Sequence, residues 1–256
     1  RLDYFEVHIT EHCNLKCKSC DNFSPIAEEG YTDEETFDKE LKRMSELFPN
    51  VWCIRLLGGE PLLNPNINFF MKTTRLYFPN PEIRVTTNAT LLHKMNESFW
   101  KCCHDNNITI EYTYYPIHID REKYKSLGKQ YDVKIIGFSG SEAEEKSTYR
   151  YAIHNTKDQD INYNFEHCIR KHCHTLKNGN IYLCTCPPNI CHFNKFFNKN
   201  LEITTDDYIN IYEHTAEEID EYLSKPIPFC GYCNIATGTW GEWSTSKLDI
   251  SEWYDE

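Results

Sequence analysis

Segments with strand and helix patterns alternate along the first 140 residues, and this order restricts the possible folds more than any other feature of the chain. Strands are expected at residues 4–10, 51–57, 83–87, 108–114 and 133–137. Helices are expected between them at residues 32–48, 64–78, 96–105 and 121–130. Because parallel strands need such crossover helices, the alternation predicts an α/β fold with a mostly parallel sheet.

The composition agrees with one large domain, or one and a half ordinary ones, and argues against two kinds of partner. The chain has 256 residues, of which 40% are hydrophobic and 26% charged, close to globular averages. No uninterrupted apolar run approaches the ~18 residues of a membrane span. The net charge of −12 opposes binding to a phosphate backbone. We therefore expect no membrane and no nucleic-acid partner.

Thirteen cysteines are more than a chain of this length needs as disulfide staples, and their odd number points toward bound metal. Cys13, Cys17 and Cys20 stand as C-x3-C-x2-C in the loop after the first strand. Three thiolates can hold three irons of a [4Fe–4S] cluster and leave the fourth iron open, since such a cluster otherwise takes four cysteines. A structural zinc site that uses His8 and His12 is the alternative.

A second motif, Gly58-Gly59-Glu60-Pro61, follows the second strand. Glycines let a ligand approach the backbone closely, and the carboxylate of Glu60 suits a ligand ammonium group. The carboxyl ends of parallel strands commonly carry ligands. The motif is therefore expected to lie beside the cysteine loop as part of one binding site.

Together these two motifs resemble the radical S-adenosylmethionine (radical SAM) superfamily over residues 4–140. The resemblance implies a partial (β/α) TIM-like barrel, placed here at residues 1–150, whose open iron binds SAM. It implies that SAM is cleaved to a 5′-deoxyadenosyl radical, which abstracts a substrate hydrogen. It also implies cofactor contacts for Gly58, Gly59, Glu60, Asn88 and Thr113, with Glu60 meeting the SAM amino group. Ser19 replaces an aromatic residue common in the family, so the adenine contact is expected elsewhere.

A second group of cysteines lies in the last third of the chain. Asn178-Gly179 predicts a type I′ hairpin among them, since both residues of that turn need positive φ. The cysteines around this hairpin resemble the twitch or SPASM pattern, which implies an auxiliary iron–sulfur domain, placed here at residues 151–256. Four thiolates are expected to bind an auxiliary [4Fe–4S] cluster, namely Cys168, Cys184, Cys230 and Cys233.

Alternatives to this second cluster remain open from the sequence. A zinc site fits C-x2-C equally well, and four histidines crowd the region: His167, His172, His174 and His192. Cys173, Cys186 and Cys191 could replace a cluster ligand, donate a hydrogen atom or simply be buried. Three further cysteines are expected in the core: Cys53, Cys102 and Cys103.

The resemblance extends to two groups of radical SAM enzymes, 2-deoxy-scyllo-inosamine dehydrogenases and sulfatase-maturing enzymes. It implies an oxidoreductase that takes hydrogen from a small polyol or amino-sugar-like substrate, with the auxiliary cluster accepting an electron. Modification of a peptide or protein side chain and radical epimerisation are the enzymatic alternatives. The remaining alternative is a non-enzymatic metal-binding protein. Candidates for the substrate base are Tyr115 and His118, with Cys173, Cys186 and Cys191 as further catalytic candidates.

Such chemistry also predicts a reductant partner, such as flavodoxin or ferredoxin, and a small-molecule or peptide substrate. Exposed low-potential clusters and free thiolates survive poorly where disulfides form. We therefore expect a cytoplasmic location.

Overall fold

The computed structural model describes residues 2–138 and 147–255. Its strands are β1 (Tyr4–Thr10), β2 (Cys53–Gly58), β3 (Glu82–Thr87), β4 (Ile108–Tyr112), β5 (Ile135–Gly137), β6 (Ser147–Ile153), β7 (Thr175–Lys177), β8 (Asn180–Tyr182), β9 (Ile209–Asn210) and β10 (Cys233–Glu242). Its helices are α1 (Glu34–Leu47), α2 (Ile67–Tyr77), α3 (Glu97–Asp105), α4 (Arg121–Gln130), α5 (Ile161–His167), α6 (Cys186–Phe197) and α7 (Ala216–Leu223).

One eight-stranded sheet holds the molecule together, in the order β5-β4-β3-β2-β1-β7-β8-β9. Strands β1 to β5 pair in parallel in chain order, with α1 to α4 as their crossovers. This is the predicted α/β partial barrel. The closing strand β7 is also parallel to β1, whereas β8 and β9 add antiparallel to its free edge. Strands β6 and β10 form a separate two-stranded sheet.

The hydrophobic core lies between the barrel strands and their helices. Phe5, Val7 and Ile9 alternate along β1 and are fully or almost fully buried, as the period of two predicts. Helix α1 contributes Phe37 and Leu41 from one face at helical spacing. The predicted core cysteines Cys53, Cys102 and Cys103 are buried as expected.

The sequence placed the start of α1 at residue 32, but the helix begins at Glu34. Asp33 is the N-cap, and its carboxylate accepts the Thr36 amide at 2.8 Å. Thr32 instead donates its hydroxyl to the His8 carbonyl at 2.6 Å. An aspartate and a threonine are both good caps, and the tie to β1 decides between them here.

The predicted hairpin is confirmed. Asn178 and Gly179 both have positive φ, at 53° and 74°, as a type I′ turn requires. Its first strand, β7, pairs with β1, so the hairpin extends the barrel sheet. The division at residue 150 remains a prediction, since this sheet takes strands from both sides of it.

Residues 139–165 are polar and carry no clear strand or helix period in the sequence. Strand β6 falls within this stretch, and helix α5 begins in it and ends at His167, whereas residues 139–146 lie outside the described residues. Helix α6 begins with Cys-Pro-Pro, and proline in the first turn suits a helix start. No helix among the described residues combines the length and apolar character of a membrane span.

Glu40 is a buried carboxylate in α1 with one hydrogen-bond donor, the backbone amide of Gly179. Burial raises its pKa to about 7 from the ordinary 4.5. A raised pKa in the folded state favours folding below pH 4.5, and this contribution is lost as the pH rises through 7.

Glu40→Gln should therefore stabilise the protein at pH 8 by about 2–3 kcal/mol and change it little near pH 4.5. Urea unfolding at both pH values measures the difference. Glu35→Gln, an exposed change on the same helix, is the control and should shift stability by less than ~0.5 kcal/mol at either pH. An equal effect of Glu40→Gln at the two pH values would contradict the burial argument.

Candidate metal centres

The three cysteines of the first loop line one cavity of about 310 Å³ at the carboxyl ends of the barrel strands. Cys13 Sγ accepts the Leu15 amide at 3.4 Å and the Asn88 side-chain amide at 3.6 Å. Burial, with Cys17 and Asp21 nearby, raises the pKa of Cys20 to about 12. A coordinated metal ion reverses this cost because it deprotonates a thiol ligand. The donor set fits an iron–sulfur cluster held by Cys13, Cys17 and Cys20.

The C-terminal tail clamps this cysteine loop. Cys17 pairs with Thr245 in an antiparallel β-bridge, flanked by two backbone hydrogen bonds of 2.8 and 3.0 Å. Ser19 donates to the Glu252 carbonyl at 2.8 Å, and the Trp253 indole donates to the Cys20 carbonyl at 2.9 Å. The loop conformation therefore depends on residues more than 200 positions away, which no local pattern could indicate.

Gly58 and Gly59 are needed for the approach of two loops. Gly59 donates to the Thr10 carbonyl at 2.8 Å, and Glu60 donates to the His12 carbonyl at 3.1 Å. A Cβ on Gly59 would overlap the His12 carbonyl, and a Cβ on Gly58 would overlap that of Thr10. The glycines thus seat the start of the cysteine loop against the end of β2, and both also line the cavity.

Glu60 is fully buried and already hydrogen-bonded on both oxygens. It accepts the Leu62 amide at 3.1 Å, the Thr87 hydroxyl at 2.6 Å and the Asn88 amide at 2.8 Å. Burial raises its pKa to about 7 against these three donors. The carboxylate thus braces the ends of β2 and β3 behind the cavity, a role that the sequence did not predict.

We expect Glu60→Gln to cost about 1–3 kcal/mol in lost hydrogen bonds, because the amide nitrogen cannot accept from a buried donor, and to offset part of this loss above pH 7, where the buried carboxylate is ionised. SAM affinity should also fall, by roughly ten- to a hundredfold. Urea unfolding and equilibrium SAM binding on the same variant separate the two effects. A loss of affinity at full stability would favour the direct ammonium contact over the bracing role. If neither quantity changed, the loop would be only a turn.

Three of the remaining predicted residues lie in the cavity wall. Asn88 donates to the Asn14 side chain at 2.9 Å, and Thr113 follows β4 directly. Tyr115 is hydrogen-bonded to Cys17, and burial raises its pKa. His118 is exposed and does not line this cavity, so of the two proposed bases only Tyr115 reaches the site.

The three Trp residues of the C-terminal tail differ in burial. Trp253 is buried, but Trp240 is 65% exposed. Trp240 and Trp243 both line the cavity, and Trp243 meets Tyr115 edge-on with ring centroids 5.5 Å apart. The tail therefore supplies aromatic surface to the cavity that Ser19 does not.

A polar row inside the barrel was missed by the sequence reasoning. Glu6 on β1 lies opposite Arg55 on β2, and both line the cavity. Arg55 pairs with the buried Glu111 at 2.8 Å, and Arg84 pairs with the same carboxylate at 2.8 Å. These residues alternate with the apolar residues of the same strands. This period of two was the feature of the sequence from which the polar row could have been predicted.

Five cysteines line a second, largely apolar cavity: Cys168, Cys184, Cys186, Cys230 and Cys233. The four predicted ligands are therefore brought together, and Cys186 joins them. The thiols close around a space of about 20 Å³, with Cys184 hydrogen-bonded to Cys186. Five thiols offer one more donor than a [4Fe–4S] cluster needs.

The thiols are not arranged around a single ion. Within residues 2–138 and 147–255, no three histidine, cysteine or acidic side chains surround one point at metal-ligand spacing. A cluster is held instead by thiolates around a body of several atoms. The donor chemistry of both cavities, thiols without histidine, fits iron–sulfur clusters and also fits a zinc site made of cysteines alone.

The histidines behind the zinc alternatives have other partners. His8 contacts Glu6 at 3.5 Å, and His12 packs against the Tyr31 ring. His192 bonds to Glu11 at 2.7 Å, and His174 bonds to the Leu183 carbonyl at 3.0 Å. None of the eleven histidines lines the second cavity.

The other uncommitted cysteines separate by location. Cys173 lines the first cavity, near Glu6 and Arg55. Cys191 is exposed on α6 and lines neither cavity. Cys173 is therefore the free thiol available at the first site.

A parallel partial barrel with a three-cysteine loop and a Gly-Gly-Glu turn at its strand ends defines a radical SAM enzyme domain. Residues 7–111 match the Radical SAM superfamily. The chain is 34% identical over 98 residues to a GTP 3′,8-cyclase of Aliarcobacter butzleri. It is 38% identical over 95 residues to that of a Sulfurovum species. These matches span 37% and 36% of this chain, and 30% and 28% of the relatives.

Solved structures resemble the chain over most of its length. BtrN, crystallised with AdoMet and 2-DOIA, is 17% identical with a TM-score of 0.55, covering 91% of this chain and 93% of BtrN. The enzyme anSMEcpe, crystallised with AdoMet, is 14% identical with a TM-score of 0.52, covering 90% and 83%. At these identities the likeness extends to the fold, including the C-terminal part.

Proposed function

We propose that the chain is a radical SAM oxidoreductase that removes hydrogen from a small polyol or amino-sugar-like substrate, with an auxiliary [4Fe–4S] cluster accepting an electron. The observation that carries this proposal is the pair of cavities: the first is lined by the three loop cysteines and by Cys173, and the second by five cysteines. The three loop thiols would leave one iron open for SAM, whereas the second cavity offers enough thiols to close a cluster, so the two sites suit different tasks.

The wall of the first cavity supports the proposed substrate class. Glu6, Arg55 and Thr86 present a carboxylate, a guanidinium and a hydroxyl there. Burial opposes ionisation of Glu6, but hydrogen bonds with His8, Tyr4 and Thr175 outweigh it and lower its pKa. An ionised carboxylate and a cation side by side suit a ligand rich in hydroxyl and amino groups. This supports a polar small molecule.

The proposed oxidation balances in atoms and electrons. A cluster held by Cys13, Cys17 and Cys20 would supply the electron that cleaves SAM, and the 5′-deoxyadenosyl radical so formed would take one hydrogen atom from a substrate carbon. The substrate radical then loses a hydroxyl proton and one electron to become a carbonyl. The Glu6 carboxylate in the cavity wall can receive the proton. The auxiliary cluster proposed for the five-cysteine cavity would accept the electron.

Cys173 favours a second candidate, radical epimerisation. Its thiol lines the same cavity as the three-cysteine loop. A thiol there can return a hydrogen atom to the opposite face of the substrate radical, and the sulfur radical must then be reduced by one electron and one proton. The GTP 3′,8-cyclase activity belongs to relatives of which this chain covers less than a third, so it is not proposed for this chain.

Anaerobically reconstituted protein, SAM and dithionite test the proposal with a panel of aminocyclitols beginning with 2-deoxy-scyllo-inosamine. We expect 5′-deoxyadenosine together with a product two hydrogens lighter. An inverted product that carries solvent deuterium would establish the epimerase, and Cys173→Ala should then abolish inversion. Turnover with peptides alone would favour side-chain modification. Absence of 5′-deoxyadenosine under all conditions would overturn the class of reaction.

A further inference from the structure

Arg170 is a buried cation placed between the two cysteine cavities. It is 5% exposed, and among the described residues it alone lines both cavities. Its backbone amide donates to Cys168 Sγ at 3.4 Å. Its guanidinium lies 5.1 Å from the centre of the Tyr149 ring. One residue therefore contacts a ligand of the proposed auxiliary cluster and reaches the first cavity.

Asp21 completes this connection from the other side. Its carboxylate pairs with the Arg170 guanidinium at 2.6 Å, and it directly follows Cys20 in the chain. Its carbonyl accepts from Cys186 Sγ at 3.9 Å. The ion pair thus joins the loop that carries the first cluster to the thiols of the second.

A buried charge acts strongly on a neighbouring redox centre, because little water screens it. Reducing a cluster adds one negative charge, which a nearby cation stabilises and a nearby anion opposes. Net charge around a cluster is one of the properties that set its reduction potential. Arg170 and Asp21 should therefore act in opposite directions on a cluster in the second cavity.

We propose that the Asp21–Arg170 ion pair sets the reduction potential of the auxiliary cluster, with Arg170 raising it and Asp21 limiting that rise. The inference rests on the proposed function, since it requires the second cavity to hold a cluster. Both residues are positioning residues, and neither is assigned a contact with substrate. The ion pair would keep the auxiliary site oxidising enough to accept an electron from a substrate radical.

The test is a dithionite titration of reconstituted protein followed by electron paramagnetic resonance. It is run in the full chain and in a variant with alanine at positions 13, 17 and 20, where only the auxiliary cluster remains. At a fixed potential, Arg170→Met should lower the reduced-to-oxidised ratio at least tenfold, equivalent to 59 mV for one electron. Asp21→Asn should raise the ratio. Arg170→Lys keeps the charge, and its reduced-to-oxidised ratio should stay within about threefold of the wild-type ratio. A threefold change corresponds to less than half of 59 mV.

Lys42→Met removes an exposed cation far along α1 and controls for net charge; its ratio should not change. Shifts of Arg170→Met and Asp21→Asn in the same direction, or no shift in either, would overturn the inference. If Arg170→Met loses iron by unfolding, the partly exposed Asp21→Asn variant decides alone, and no rise in its ratio refutes the proposal. About four irons per wild-type chain instead of about eight would refute the auxiliary cluster itself, and with it the proposed function.

Discussion

Replacing Cys13, Cys17 and Cys20 together with alanine should abolish SAM cleavage and leave the auxiliary cluster in place. The three thiols line a different cavity from the five C-terminal cysteines, so their loss removes one donor set only. Iron should fall from about eight to about four per chain, as expected when one of two [4Fe–4S] clusters is lost. Metal analysis and chromatographic detection of 5′-deoxyadenosine measure the two effects.

Cys191→Ala is the matched control, since this cysteine is exposed and lines neither cavity. It should keep the wild-type iron content and rate of SAM cleavage. Loss of all iron in the triple variant would count against two independent sites. Retained SAM cleavage would show that another set of residues holds the reactive cluster.

The double substitution Cys230→Ala/Cys233→Ala should have an equally large effect of a different kind. It removes two of five thiols from the second cavity, leaving fewer than the four that close a cluster. We expect about four irons per chain, uncoupled SAM cleavage and no oxidised product, because the substrate electron has no acceptor. The ratio of product to 5′-deoxyadenosine is the measurement.

Circular dichroism and urea unfolding must accompany this variant, since Phe229 and Ile235 beside the two cysteines are part of the C-terminal core. A variant that stays folded with about eight irons would show that neither cysteine is a cluster ligand. About four irons and one zinc in the wild type would exclude the auxiliary cluster. If oxidised product still forms without the second cluster, that cluster is not the electron acceptor and its role is structural.

The sequence predicted the barrel well because its information is local. Strand β1 and helix α4 have their predicted bounds, since a capping residue, an apolar period or a break marks each end. Strand β4 ends at Tyr112, two residues before the predicted end; the Thr113 amide still donates to the Thr87 carbonyl at 3.0 Å, and Thr113 lines the cavity. The boundary was missed because the apolar pattern continues beyond the paired residues.

The site was only partly predictable for the same reason. The spacing of Cys13, Cys17 and Cys20 is a local signal, and the structure brings them together. No local pattern decides whether Cys184 or Cys186 is a cluster ligand. Both line the second cavity, Cys184 from the turn after β8 and Cys186 from the start of α6. Arg170 had no pattern to mark it, because its burial and its Asp21 partner exist only once the two parts of the chain meet.

The clamp of the C-terminal tail on the cysteine loop also fixes the order of events during synthesis. Cys17 and Cys20 are translated early, but their loop is held by Thr245 and Trp253. A nascent chain must release these late residues from the ribosome before the loop can reach its final form. Iron loading at the first site should therefore come after the synthesis of residues 245–253.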